Sequence, residues 1–167
     1  MEFNKSVSNP MLVGCIELMK AEDTPEHRSM FVEELVKASF QAPAIIEPAP
    51  VQDAEGKLMI ASGSRVQFPM LVTKDGKKFF MGFTDPIEHQ KWVEKNRELP
   101  VFTLTFEDYV SMLFRNDGQG SEGVAMGVVI NSYGANVVVP KEMFAGIMAR
   151  RMGTFRTMPV KDAEPKQ

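Results

Sequence analysis

Three pairs of residues, each a helix-capping residue followed by proline, indicate element boundaries in this chain more clearly than any other feature. They are Asn9-Pro10, Thr24-Pro25 and Asp85-Pro86. A capping side chain followed by proline is typical of a helix start, because proline has no N–H to donate and its φ suits the first turn. Each pair therefore predicts that a helix begins there.

The apolar residues after the first two pairs recur every three or four positions, as on one face of a helix. The first helix is predicted to end near Ala21, and the second follows across the short Glu22-Asp23 connection. Two helices joined this closely form an antiparallel hairpin. After the third pair, Glu88 completes a capping-box spacing. That helix is predicted to reach about Asn96, and its inward candidates are Ile87, Trp92 and Val93.

Several β-rich runs lie between the helices. Pro43 and Pro48 predict that FQAPAIIEP is an edge strand, because proline cannot donate to a ladder. The runs on either side of Asp75-Gly76 predict a hairpin whose two turn residues both have positive φ. Val124–Asn131 and 136–139 predict a second hairpin around Ser132-Tyr133-Gly134-Ala135.

The remaining signals complete the predicted fold. Leu99–Thr105 reads as a strand, Thr105 caps a helix, and Pro140 opens a last one. The fold class is α+β, with a mixed, mostly antiparallel sheet of five or six strands and helices packed mainly on one face. A chain of 167 residues is expected to form a single domain over residues 1–153, followed by a polar, flexible tail over 154–167.

Charge and composition exclude several classes of partner. The net charge is −3, which indicates neither nucleic acid nor an acidic membrane surface. No apolar run approaches the ~18 residues of a membrane span, and the N-terminus has no signal pattern. Cys15 is the single cysteine, so an internal disulfide is impossible and a reducing compartment is favoured. These features predict a cytoplasmic protein.

Catalytic and cofactor patterns are weak throughout the sequence. GQGSEG at 118–123 matches the dinucleotide fingerprint in letters, but it follows a helix and precedes a strand, the reverse of what pyrophosphate binding requires. His27 and His89 fall in first turns of helices, where side chains usually face solvent. Cys15 lies on an apolar helical stripe and reads as a small buried hydrophobe. We expect no metal, no cofactor and no enzymatic activity.

A few residues suit contact with a partner or ligand. Trp92 and Tyr133 each combine an apolar body with a polar tip, as contact residues often do. Asn131 and Gly134 belong to the same turn as Tyr133, and Arg115 could converge with them on a small ligand. The sequence also has thirteen methionines, most of them at inward positions, so a core role is favoured over a methionine-rich binding surface.

The order of these segments resembles the N-terminal domain of the SseB (enhanced serine sensitivity) family of bacteria. The resemblance spans about residues 9–148, and its matching pieces in chain order are NPMLVGCIELMK, the Thr24-capped helix, QAPAII, TKDGKKFFMGFTD, LTFEDYVSML and VVINSYGANVVVP. The family usually has proline after the turn asparagine, where this chain has Ser132. Longer members continue into a second domain, which we expect this chain to lack.

The resemblance implies a serine-sensitivity phenotype without a defined reaction. Together with the missing catalytic pattern, it leads us to expect a non-catalytic interaction domain, using a sheet face or the region of residues 131–136 with Trp92 nearby. The alternative is a sensor of an amino-acid-related small molecule, or a minor enzyme. Self-association is a third possibility, because residues 1–50 carry four basic and eight acidic side chains, whereas 141–167 carry six basic and three acidic.

Overall fold

A computed structural model describes residues 2–115 and 125–151 of the chain. The GQGSEG segment at 118–123 and the predicted tail at 154–167 lie outside the described residues. The five helices are α1 (Pro10–Ala21), α2 (Pro25–Lys37), α3 (Pro86–Lys95), α4 (Phe106–Phe114) and α5, which covers 141–151.

The strands are short and belong to several ribbons. They are β1 (Glu2–Phe3), β2 (Ser39–Pro43), β3 (Ile45–Glu47), β4 (Val51–Gln52), β5 (Leu58–Met59), β6 (Arg65–Gln67), β7 (Leu71–Val72), β8 (Lys78–Gly82), β9 (Val101–Thr105), β10 (Gly127–Ile130) and β11 (Val137–Pro140). The fold is α+β, as the sequence predicts.

Two sheets form the centre of the molecule. One has the order β1-β9-β2 and the other the order β11-β10-β8-β7, and only β8 and β10 run parallel. Gln41 and Phe83 join the sheets by a bridge in which each main-chain N–H donates to the other's carbonyl at 2.9 Å. The separate pairs β3–β6 and β4–β5 extend from this centre.

Most helices cover one face of the joined sheets. The larger core combines residues of α1, α2, α4 and α5 with Phe40, Leu104 and Ile130 of the strands. Alternate strand residues point to the opposite face, where Met81 and Phe83 pack with Trp92 of α3. Four helices therefore lie on one face, called here the helical face, and α3 lies on the other.

All three cap–proline pairs begin helices, but their side chains act differently. Thr24 accepts from His27 N at 3.1 Å, and Asp85 accepts from Glu88 N at 2.9 Å. Asn9 makes no capping bond; its Nδ2 donates to the carbonyls of Ser39 and Thr84, at 2.7 and 2.8 Å. This amide ties the start of α1 to both central sheets.

The strand predictions need three corrections. FQAPAIIEP forms two strands, because β2 ends at Pro43 and β3 pairs elsewhere. β2 lies at the end of its three-stranded sheet, but Gln41 bridges its outer side to Phe83, so it is not an open edge. The predicted first strand of the Asp75-Gly76 hairpin is likewise divided into β6 and β7. In its turn only Gly76 has positive φ, at 85°, so the turn with two such residues is wrong. The main chain closes instead through Gly76 N to Thr73 O and Thr73 N to Lys77 O, at 2.9 and 2.8 Å.

The predicted inward face of α3 is only partly right. Trp92 is 5% exposed and Val93 is partly buried, but Ile87 is 74% exposed. Ile87 lies in the first turn of the helix, five residues before Trp92. Five residues correspond to about 500° of helical rotation, so Ile87 points well away from the buried side.

Candidate functional site

The 131–136 turn connects β10 to β11 and is built on two asparagines with left-handed backbone. Asn131 and Asn136 have φ of 53° and 52°, a conformation that asparagine tolerates better than most residues. Asn131 O accepts from Gly134 N at 2.9 Å and from Asn136 N at 2.8 Å. Main-chain hydrogen bonds inside the turn therefore stabilise the reversal of the chain.

The side chain of Asn131 fastens this turn to the start of α3. It is 4% exposed, its Oδ1 accepts from Thr84 N at 3.0 Å, and its Nδ2 donates to Thr84 Oγ1 at 2.9 Å. Thr84 Oγ1 in turn donates to Asp85 Oδ2 at 2.8 Å. Since these groups are paired with one another, Asn131 has a structural role here.

Gly134 lies against the carboxylate of Glu88. A Cβ added at Gly134 would overlap Glu88 Oε2, so only glycine fits without movement. Glu88 Oε1 accepts from Lys91 Nζ at 2.6 Å. The predicted capping box is therefore half formed: Asp85 caps the helix, while the Glu88 carboxylate packs against Gly134 and its Oε2 has no hydrogen-bond partner.

Tyr133 is the exposed aromatic residue of the turn, and Trp92 lies beneath the surface. Tyr133 is 45% exposed, and its hydroxyl accepts from Asn96 Nδ2 at 3.3 Å. Asn96 Nδ2 also donates to Trp92 O at 2.9 Å. The turn thus runs along α3 from Glu88 to Asn96, and it presents one aromatic side chain to solvent.

Arg115 is not part of this cluster. It follows Phe114, whose ring centroid lies 5.0 Å from Lys141 Nζ. Lys141 N donates to Met126 O, so the contact between Lys141 and Phe114 lies near the start of β10. Asn131 follows the other end of this four-residue strand. The length of the strand, about 13 Å at 3.3 Å per residue, therefore separates the two positions. The proposed convergence of Asn131, Tyr133 and Arg115 on one ligand has no support in this arrangement.

The two histidines and the cysteine each have a packing role. The His89 ring lies 5.5 Å from the Phe83 ring and stacks on Trp92 at 6.2 Å, and burial lowers the pKa of His89. His27 Nδ1 lies 2.6 Å from Glu22 O and closes the α1–α2 connection. Neither side chain is fully solvent-facing as predicted, since both are partly buried. Cys15 is buried in the larger core, where burial raises the pKa of its thiol.

A concavity in the described residues lies at the other side of β11. It has a volume of about 280 Å³ and an apolar lining between the helical hairpin and the edge strand. We call it the edge groove; its lining residues are Met19, Lys20, Asp23, Arg28, Phe31, Val32, Val137, Val138 and Met143. Local sequence patterns do not predict this groove, because its walls come from four separate segments.

The rim of the edge groove is charged. Arg28 donates to both carboxylate oxygens of Asp23, at 2.5 and 2.7 Å, and this hydrogen bonding lowers the pKa of Asp23. Lys20 is exposed and makes no ion pair with another described residue. The rim therefore carries one positive charge in excess, above an apolar floor that includes Phe31.

Two methionines assigned to the core belong to this groove. Met19 and Met143 pack against the larger core but stay partly exposed, and both line the groove. Methionine adapts its shape to different apolar partners. Their helical period predicted correctly that both side chains point inward, but it could not show that the space beside them is open.

In residues 2–115 and 125–151, no three His, Cys, Asp or Glu side chains are grouped closely enough to hold a metal ion. No helix there has the length and apolar composition needed to cross a membrane.

The α+β fold, the helical hairpin and the Asn131 turn define a small domain in which long-range polar contacts fix the turns. The family model described as the SseB protein N-terminal domain matches residues 13–145. The chain belongs to this family. No curated protein and no solved structure matches it.

Proposed function

We propose that this chain is a non-catalytic protein-interaction domain of the bacterial cytoplasm and that it binds partners through the edge groove. The observation that carries this proposal is the apolar groove of about 280 Å³ beside the exposed strand β11. Exposed apolar concavities with a polar rim are typical of binding sites. The adaptable side chains of Met19 and Met143 suit the apolar side chains of a protein partner.

The chemistry of the reactive side chains supports a non-catalytic role. A nucleophilic cysteine needs a lowered pKa, but burial raises the pKa of Cys15. His89 is held between the rings of Phe83 and Trp92, where it serves packing. The Tyr109 hydroxyl is buried and donates to Met81 O at 2.7 Å, which occupies it in the fold.

The groove is favoured over the 131–136 turn as the binding surface. Asn131, Gly134 and Trp92 are engaged in holding the turn against α3, so replacing them alters the fold before it alters a surface. Tyr133 is the one large apolar side chain of the turn that is exposed for contact. The groove offers apolar surface from several elements at once.

Charge substitutions on α1 test this proposal. Met19→Lys places an ammonium group in the groove, and the matched control Met11→Lys changes an exposed methionine of the same helix. Val138→Lys is a second groove variant, on a half-exposed residue that should tolerate lysine. The full-length chain, immobilised, captures proteins from a bacterial lysate, and mass spectrometry quantifies them against a blank matrix.

We expect a reproducible set of proteins on the wild type and on Met11→Lys that is lost on both groove variants. Thermal unfolding of each variant verifies that the fold is retained. Retention of the whole set by both groove variants, or the absence of any set above the blank, would show that the groove is not the binding surface.

One observation favours a second candidate, the binding of a small zwitterionic molecule. The groove volume is close to the lower end of small-molecule sites, roughly 300 Å³, and the ammonium group of Lys20 at its rim could pair with the carboxylate of an amino acid. A thermal-shift screen of amino acids tests this alternative. Saturable stabilisation that Lys20→Ala removes would support it, and no shift with any amino acid would reject it.

A further inference from the structure

We propose that the edge groove takes an extended peptide segment, which adds a strand to the open edge of β11 and carries an apolar and an acidic residue two positions apart. This inference rests on the proposed function and specifies the form of the partner. Its three parts are the direction of the β11 main-chain groups, the position of the groove beside them, and the charge of the rim.

The outer edge of β11 offers one donor and one acceptor at Val138. Among the described strands, β11 pairs only with β10. Asn131 N donates to Gly82 O and Lys141 N to Met126 O, at 3.0 and 2.8 Å. The main-chain N–H and C=O groups of successive residues point alternately to the two sides of a strand. Given these two bonds, the N–H and C=O of Val138 point away from β10. Pro140, which ends the strand, has no N–H to add.

The groove lies beside these outward groups. Val138 is 50% exposed and lines the groove together with Val137. In a peptide strand added to β11, the side chain of the residue opposite Val138 points to the same face as the Val138 side chain. The side chains of the residues before and after it in the peptide point to the other face, which is the helical face. Those neighbours are two positions apart, about 7 Å, and both point toward the groove walls formed by α1, α2 and α5.

The positive charge at the rim of the edge groove favours an acidic residue at one of these two peptide positions. Asp23 and Arg28 satisfy each other, which leaves the ammonium group of Lys20 for a ligand. The apolar lining from Phe31 and Val32 suits the other neighbour. A second copy of this chain fits less well, since pairing two β11 edges about a two-fold axis would bring two positive rims together.

Synthetic peptides test the strand geometry directly. The probe is acetyl-Ser-Thr-Leu-Thr-Glu-Thr-Ser-amide, in which the central Thr is meant to pair with Val138 and Leu and Glu to face the groove. Three relatives carry Ala for Leu, Lys for Glu, or an N-methyl group on the central Thr amide. Binding to the full-length chain is followed by the chemical shifts of the ¹⁵N-labelled protein.

Variants of the chain match these peptides. Val138→Pro removes the outward N–H without removing a bond to β10. An edge strand accepts proline at such a position. Val138→Thr keeps the N–H and serves as its control. Lys20→Glu reverses the rim charge, and Lys95→Glu is the matched control, because Lys95 is also exposed in the last turn of its helix but lies on the other face of the sheet.

We expect saturable binding of the probe, with shifts at the groove residues. N-methylation and Val138→Pro should each weaken it about tenfold, the contribution of one hydrogen bond and its geometry. Lys20→Glu should weaken it about fivefold in low salt, and Lys95→Glu and Val138→Thr less than about twofold.

Three results would overturn the inference. Saturable binding that N-methylation and Val138→Pro leave unchanged would show that the groove binds without strand pairing, while the proposed function stands. No binding of the probe by the wild type would reject this occupant, and lysate capture would decide the proposed function separately. A wild-type dimer in sedimentation that Val138→Pro dissociates would assign the edge to a second copy.

Discussion

Asn131 and Thr84, which are 47 positions apart in the chain, hold each other through two buried hydrogen bonds. The amide oxygen of Asn131 accepts from the Thr84 main-chain N–H at 3.0 Å, and its Nδ2 donates to the Thr84 hydroxyl at 2.9 Å. One asparagine thereby closes a hairpin and fixes the residue that precedes the cap of α3.

Replacing Asn131 by glycine should therefore destabilise the protein strongly. Glycine keeps the left-handed backbone, so the loss comes from the buried N–H of Thr84, which loses its acceptor, and from the Thr84 hydroxyl, which keeps only its bond to Asp85. We expect a decrease of about 2–4 kcal/mol in the free energy of unfolding. Urea titration followed by circular dichroism measures it. Asn136→Gly is the control, since Asn136 has nearly the same φ but is exposed, and it should change the free energy by less than about 0.5 kcal/mol.

The contact between Gly134 and Glu88 predicts a coupled pair. Gly134→Ala should destabilise by about 1 kcal/mol or less, because its methyl group displaces the Glu88 carboxylate, the far end of a flexible side chain. In a Glu88→Ala background the same change should be nearly neutral, because the carboxylate is gone. A double-mutant cycle from thermal or urea unfolding gives the coupling free energy. Equal effects of Gly134→Ala in both backgrounds would contradict the overlap.

The local part of this fold could be predicted from the sequence. Helix starts depend on a cap and a proline that are neighbours in the chain, and Thr24 and Asp85 behave as that pattern indicates. Asn9 shows the limit of local reasoning. Its sequence context is the same, yet its amide donates to Ser39 and Thr84, because folding brings two distant carbonyls within reach.

The candidate sites could be predicted only in part. Trp92 and Tyr133 look alike in sequence, but Met81 and Phe83 bury the first, and the second stays at the surface. That difference depends on which face of β8 meets α3, and local spacing does not encode this. The edge groove escaped prediction for the same reason, since α1, α2, β11 and α5 come together only in the folded chain.

His89 predicts a loss of stability toward acidic pH. Burial against Phe83 and Trp92 lowers its pKa below the ordinary 6.5, and its Nε2 is buried without a hydrogen-bond partner. As the pH falls, the unfolded chain therefore takes up a proton at a higher pH than the folded chain does. The contribution of neutral His89 to the free energy of unfolding is complete above about pH 6.5 and is lost as the pH falls through the folded pKa.

Unfolding free energies measured between about pH 7 and pH 5 check this pH dependence. His89→Phe retains an aromatic ring in the stack and removes the titrating group, so its stability should vary less over this interval. An identical pH dependence in the wild type and in His89→Phe would exclude His89 as the cause.

Two glycines should respond to alanine in opposite directions. Gly14 lies within α1 with open space around it, so Gly14→Ala should stabilise the protein by about 0.5–1 kcal/mol through helix propensity. Gly82 lies in β8, where an added Cβ would stand 2.8 Å from Tyr109 Oη and 3.3 Å from the Phe40 side chain. Gly82→Ala should destabilise by about 2–4 kcal/mol, because the Tyr109 hydroxyl must leave its bond to Met81 O.

The Tyr109→Phe background separates the hydroxyl contact at Gly82 from the ring contact. Without the hydroxyl, the nearest contact left for the added methyl group is the Phe40 side chain at 3.3 Å, so the effect of Gly82→Ala should fall by about half or more. Urea titrations of the four proteins in this cycle supply the values. An undiminished effect in the Tyr109→Phe background would place the obstruction at Phe40, and the close approach of β8 to α4 would then depend on ring packing.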